Sequence, residues 1–74
     1  MIKLVELYVA DNYTGIHTLE TAKQYMWNSR GFCHLRHDIT EEQFMREDNL
    51  DTINSWMTTG GVKFIGEISG PMAP

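Results

Sequence analysis

Seventy-four residues with a single cysteine restrict the chain to one small domain that no internal disulfide can brace. A formal net charge of −4 argues against direct contact with nucleic acid, because phosphate contacts need a basic surface. No apolar run approaches the ~18 to 20 residues of a membrane span, and the first residues, with Lys3 and Glu6 among them, do not read as a secretion leader.

A chain this short buries only about 60% of its unfolded surface. Its core must come from Leu, Ile, Val, Met and the aromatics, or from a partner subunit. The lone thiol suits a reducing compartment, so a cytoplasmic location is expected.

Residues 2–9, IKLVELYV, read as a strand. One face would carry Ile2, Leu4, Glu6 and Tyr8, the other Lys3, Val5, Leu7 and Val9, so both faces are largely apolar. Residues 11–15, DNYTG, carry turn chemistry, and Ile16-His17 reads as a brief return strand. Thr18 is a good N-cap for a helix running to Arg30, with Gly31 closing it. Leu19, Ala22, Tyr25 and Met26 would face the core, while Lys23, Gln24 and Asn28 point elsewhere and Trp27 falls off the stripe.

Residues 32–39, FCHLRHDI, alternate and predict a half-buried strand. Cys33, Leu35, His37 and Ile39 share one of its faces. Thr40 and Gln43 then form a capping box, with Ile39 and Phe44 as a hydrophobic staple. Glu41 and Glu42 sit in the first turn, where the helix dipole favours them. Leu50, Ile53, Trp56 and Met57 form an apolar face from which Phe44 points away. A short helix over 41–47, a kink, and a second helix over 50–59 fit this pattern, with Asp48 or Asn49 capping the second and Gly60-Gly61 ending it. Residues 62–69 predict a last strand with Val62, Phe64 and Ile68 on one face. Gly66 within it points to a bulge or a close backbone approach.

The expected fold is α+β: a small three- to four-stranded sheet with two or three helices packed on one face, in a single domain over 1–69. A flexible tail follows over 70–74.

The motif Asp11-x-x-Thr14-Gly15, followed by Thr18-Leu19-Glu20-x-Ala22-Lys23 just after an N-terminal strand, resembles the opening of small accessory proteins of phages and mobile elements. The likeness covers the first third of the chain and carries no catalytic or ligand residue. It implies an anti-defence role, such as an inhibitor of a nuclease or of a CRISPR effector.

The charge is uneven. Asp38, Glu41, Glu42, Glu47, Asp48 and Asp51 stand against Arg46 alone, while the rest of the chain is nearly neutral. This segment is either a solvated helix face or a docking surface for a larger protein with a basic surface, where complementary charge speeds association and selects the partner. Trp27, Tyr13 and Phe44 fit the core stripes least well, and Phe44 and Trp27 are the aromatic anchors such a contact would use.

Cys33, His34 and His37 are the one cluster with ligand chemistry. On a strand, Cys33 and His37 share a face but stand roughly 13 Å apart, too far to hold one ion. On a helix their spacing would work. Thiol catalysis needs a base beside the thiol, and neighbouring residues on a strand point to opposite faces.

The leading expectation is therefore a non-enzymatic protein-binding regulator without a cofactor, one that occludes a basic surface of a nucleic-acid-handling protein. The alternatives are a homodimer that pairs an edge strand and, behind it, a small metal or thiol site at Cys33, His34 and His37.

Overall fold

β1 (Ile2–Val9) is the middle strand of an antiparallel sheet, flanked by β2 (Asn12–Thr18) and β3 (Gly60–Ile68). In this computed structural model, which describes residues 2–69, the helices α1 (Leu19–Asn28), α2 (Glu41–Arg46) and α3 (Leu50–Ser55) lie between β2 and β3 in the chain. The fold is an open α+β arrangement of three strands and three helices, as the sequence leads one to expect. The expected tail over 70–74 lies outside the described residues.

β1 and β2 meet in a two-residue turn. Ala10 and Asp11 have φ of 52° and 63°, the positive values that a type I′ turn needs at both central positions. The turn therefore ends earlier than the 11–15 span expected, and β2 is a full strand rather than a brief return at Ile16-His17. Thr14 is the extra residue of a bulge in β2, where Leu7 pairs with Gly15 and Tyr8 with Tyr13. The Thr14 hydroxyl donates to the Leu7 carbonyl at 3.0 Å.

Thr18 caps α1 by accepting from the Thr21 amide at 3.2 Å. Leu19, Ala22, Lys23 and Met26 form its buried stripe, a clean i, i+3, i+4, i+7 set. Tyr25, expected in that stripe, is 43% exposed, and Lys23, expected outside it, is buried. The four-carbon stem of lysine packs as an apolar group while its ammonium reaches a polar partner.

Residues 32–39 are not a strand. They form turns whose amides bond locally or to the loop before β3: Cys33 to Ser29, Leu35 to Arg30, and Arg36 to Trp56. The Cys33 carbonyl accepts from both Thr58 and Thr59. The alternation still records burial, since Cys33, Leu35 and Ile39 are core residues, but His37 is exposed. They anchor a loop; they do not line a sheet.

The expected helix break is present. Asn49 caps α3 by accepting from the amides of Asp51 and Thr52 at 2.9 and 3.3 Å. α3 stops at Ser55, short of 59, and Gly60-Gly61 opens β3 instead of closing a helix.

Val5, Leu7 and Val62, on one face of the sheet, form a single buried cluster with Leu19, Met26, Phe44 and Ile53 from all three helices. Phe44 is the chief correction to the sequence reading. It is fully buried, with Trp27 and Trp56 rings 5.8 and 6.1 Å away. β3 carries the expected bulge: Leu4 pairs with Gly66 and Val5 with Phe64, so Ile65 is extra. Beyond Val62, Phe64 and Ile68 do not continue a buried face and are both exposed.

The close approaches in β3 are at Gly60 and Gly61, not Gly66; a Cβ on Gly61 would stand 2.6 Å from the Asn54 side-chain oxygen. A Cβ on Gly60 would stand 2.9 Å from both the Cys33 sulfur and the Tyr8 carbonyl oxygen, whereas one on Gly66 would meet nothing within 4 Å. Gly60→Ala is expected to cost about 1–3 kcal/mol by overpacking and to lower the melting temperature. Gly66→Ala is expected to leave it nearly unchanged. Parallel thermal melts of the two variants check this contrast.

Candidate functional site

The acidic segment runs along the outer side of the helical layer. Glu41 and Glu42 lie exposed in the first turn of α2, and Asp51 lies exposed in the first turn of α3. Thr40 accepts from the Gln43 amide at 3.1 Å and so fixes where α2 starts. Both short helices thus begin with a side-chain cap and carboxylates beside free amides, an arrangement the helix dipole stabilises.

The other three carboxylates are engaged within the chain. Arg36 grips Asp38 with two guanidinium nitrogens, one at 3.0 Å. That hydrogen-bonded fork holds the Asp38 carboxyl below its usual range. Glu47 accepts from the Asn49 amide at 3.1 Å. Asp48 faces Lys23, whose ammonium donates to the Met45 carbonyl at 3.0 Å and to the Asp48 carboxylate at 3.4 Å. Lys3 donates to the Asp48 carbonyl at 3.2 Å. Two ammonium groups thus serve backbone carbonyls at the α2–α3 corner, where no helical amide can reach. Within this acidic segment, the carboxylates with no cationic partner among the described residues are Glu41, Glu42, Glu47 and Asp51, with Arg46 in their midst.

Of the two aromatics expected as anchors, Phe44 has no exposed surface and leaves the candidate surface altogether. Trp27 is half-buried, packed between Phe44 and the Arg30 guanidinium, which lies 4.6 Å from its ring centre.

The Cys33 thiol is buried beneath Gly60. Burial pushes its pKa up, with the Asp11 charge adding to the effect and a backbone hydrogen bond from Ala10 opposing it. His34 and His37 are exposed, and His34 sits at φ 54°. Among the described residues no three His, Cys, Asp or Glu side chains come together as a group able to hold a metal. A protonated, buried thiol is a poor nucleophile.

A second surface lies on the opposite side of the sheet, and the site residues chosen from sequence do not include it. The face of β1 that carries Leu4, Glu6 and Tyr8 has no helix against it. By register, Ile16 and Lys63 flank Glu6, and Tyr13 flanks Tyr8. Ile16 is 58% exposed, Tyr13 53% and Ile68 41%. Partial desolvation, then the Glu6 carboxylate, raises the Tyr13 hydroxyl pKa. The signal was in the sequence: both faces of residues 2–9 are apolar, and helices packed on one side can cover only one of them.

The sheet edges are blunted. The Asn54 side chain donates to the Val62 carbonyl at 2.9 Å and accepts from the Val62 amide at 2.8 Å, as a neighbouring strand would. β2 and β3 each carry a bulge. Such features oppose strand-to-strand pairing, so they oppose the edge-paired homodimer expected as an alternative.

Compared with known proteins, the chain matches no family model and shows no significant match among curated proteins or solved structures. Among the described residues, no helix is long and apolar enough to cross a membrane.

Lys23→Met keeps the buried stem and removes the donor. It is expected to cost about 1–3 kcal/mol, because the Met45 carbonyl loses a charged partner. Asp48→Asn, at a side chain 82% exposed, is expected to cost under about 1 kcal/mol. Denaturant unfolding of both variants measures the difference.

Proposed function

We propose that this chain is a non-enzymatic protein-binding regulator that acts in the cytoplasm. The helical side would dock on a basic surface of a larger protein and occlude it. The observation that carries this reading is the set of carboxylates at the starts and junction of α2 and α3, namely Glu41, Glu42, Glu47 and Asp51, which the chain's own cations leave unpaired among the described residues. Asp38 lies beside them but is already gripped by Arg36.

Charge of this kind sets the association rate and the choice of partner more than the final affinity. The most concrete partner is a nucleic-acid-handling protein, a nuclease or a CRISPR effector, because its binding groove is basic. The likeness of the N-terminal motif to phage and mobile-element accessory proteins points the same way. Phe44 takes no part in this contact, because it is core, whereas Asp48 faces Lys23 at 3.4 Å and keeps an exposed side chain.

The test is binding to a purified nucleic-acid-handling protein with a basic groove, measured at low and at moderate salt. Binding should weaken as salt rises, since a Debye length of ~10 Å at 0.1 M screens exposed charge. Replacing Glu41 and Glu42 with Gln, and Asp51 with Asn, should cut the association rate at low salt by about tenfold or more and leave the melting temperature within a few degrees of the parent. Binding that ignores both salt and these substitutions would rule out electrostatic occlusion.

A further inference from the structure

We propose that the cavity between the end of α1 and the loop that follows it binds a small carboxylate bearing an aliphatic group, with Arg30 as the carboxylate's partner. The inference uses none of the carboxylates of α2 and α3 and does not depend on what they bind.

The cavity measures about 460 Å³, within the range of small-molecule sites. Trp27, Leu35 and Ile39 line it with apolar surface, and Arg30, Arg36 and His37 line it with hydrogen-bond donors. Among the described residues no carboxylate lines it. Residues 21–37 hold no Asp or Glu, in a chain whose net charge is −4. The larger cavity beside the start of α1, about 800 Å³, is less suited to an anion. Glu20 and Asp48 line it, and its Lys3 and Lys23 ammonium groups already donate to the Asp48 and Met45 carbonyls.

The two arginines differ in one respect. Arg36 gives its Nε and Nη2 to Asp38, the fork in which a guanidinium takes a carboxylate. Arg30 uses Nη1, which donates to the Trp27 carbonyl at 2.9 Å. Its guanidinium lies 4.6 Å from the centre of the Trp27 ring, so ring and carbonyl together hold its plane. The Nε and Nη2 of Arg30 have no protein partner among the described residues. Arg30 is thus oriented in advance and able to take a carboxylate as Arg36 does. Arg30 and Phe44 already pack on the Trp27 ring. The apolar part of the ligand therefore rests on Leu35 and Ile39, which suits an aliphatic group better than a stacked aromatic one.

The loop is also set before any ligand arrives. The Leu35 amide donates to the Arg30 carbonyl and the Arg36 amide to the Trp56 carbonyl, each at 3.0 Å. The Thr59 hydroxyl donates to the Phe32 carbonyl at 2.8 Å. Little ordering is left for binding to impose.

N-acetyl-leucine joins a carboxylate to a branched aliphatic group and is the probe. In amide NMR of the whole chain it should shift the resonances of residues 27–39 saturably. Its dissociation constant should be on the order of millimolar, the range open to a ligand of so few atoms. N-acetyl-leucinamide, which lacks the charge, should shift nothing. Arg30→Lys keeps the charge and removes the fork. It should weaken binding about tenfold and leave the parent's circular dichroism intact. Isocaproate, the same carboxylate without the acetamido group, separates the sources of such a ligand. Equal affinity assigns the site to a free carboxylic acid. An affinity about tenfold lower than that of N-acetyl-leucine assigns it to the C-terminal carboxylate of a peptide.

No saturable shift by about 20 mM, equal shifts from the amide, or an Arg30→Lys variant that binds as the parent does would overturn the proposal. So would shifts confined to the cavity of Lys3 and Lys23. Substitution of Glu41, Glu42 and Asp51 should leave this binding unchanged, so its failure is distinguishable from failure of the salt-dependent docking of the acidic side.

Discussion

Phe44 packed between the tilted rings of Trp27 and Trp56 is the contact on which the rest of the arrangement depends. α2 and α3 have six residues each, too few to be stable as isolated helices in water. Their position comes from what they bury. Phe44 ties α2 to the end of α1 through Trp27 and to the end of α3 through Trp56, while Ile39 and Ile53 fill in on either side. Once these rings close over Val5, Leu7 and Val62, the helices are all committed to one face of the sheet. The other face is left with its apolar side chains in solvent.

Much of this was legible in the sequence, for identifiable reasons. Thr18 and Thr40 cap the helices they were expected to cap, and the Glu47-Asp48-Asn49 break falls where propensity weakens. The bulge by Gly66 was legible too. Phe44 departs from the sequence pattern because the phase of Leu50, Ile53 and Met57 does not govern its direction. Phase carries no information across a helix break, and the two helices are separate cylinders. Lys23 is buried despite its charge because its stem completes the helical stripe of 19, 22, 23 and 26. Residues 32–39 alternate in burial without pairing, since their amides and carbonyls are taken by Ser29, Arg30 and residues 56–59. No local pattern announces bonds of that kind. The same holds for Asn54, whose bidentate bond to Val62 joins residues eight apart through a turn.

Two surfaces with different chemistry follow from this one-sided packing. The helical side is acidic, and part of its charge serves the fold: Asp38 anchors Arg36, and Asp48 with Met45 receives Lys23. What remains is suited to a basic partner. The sheet side is apolar around Glu6 and Lys63.

Phe44→Ala is the substitution that probes this arrangement most directly. A buried phenylalanine at the junction of three helices should cost about 3–5 kcal/mol when truncated. That is most of the stability of so small a domain, and the unfolding midpoint in denaturant should fall accordingly. A variant whose midpoint stays close to the parent's would show that Phe44 is not the closing contact. The helical layer, and both surfaces inferred from it, would then have to be placed differently.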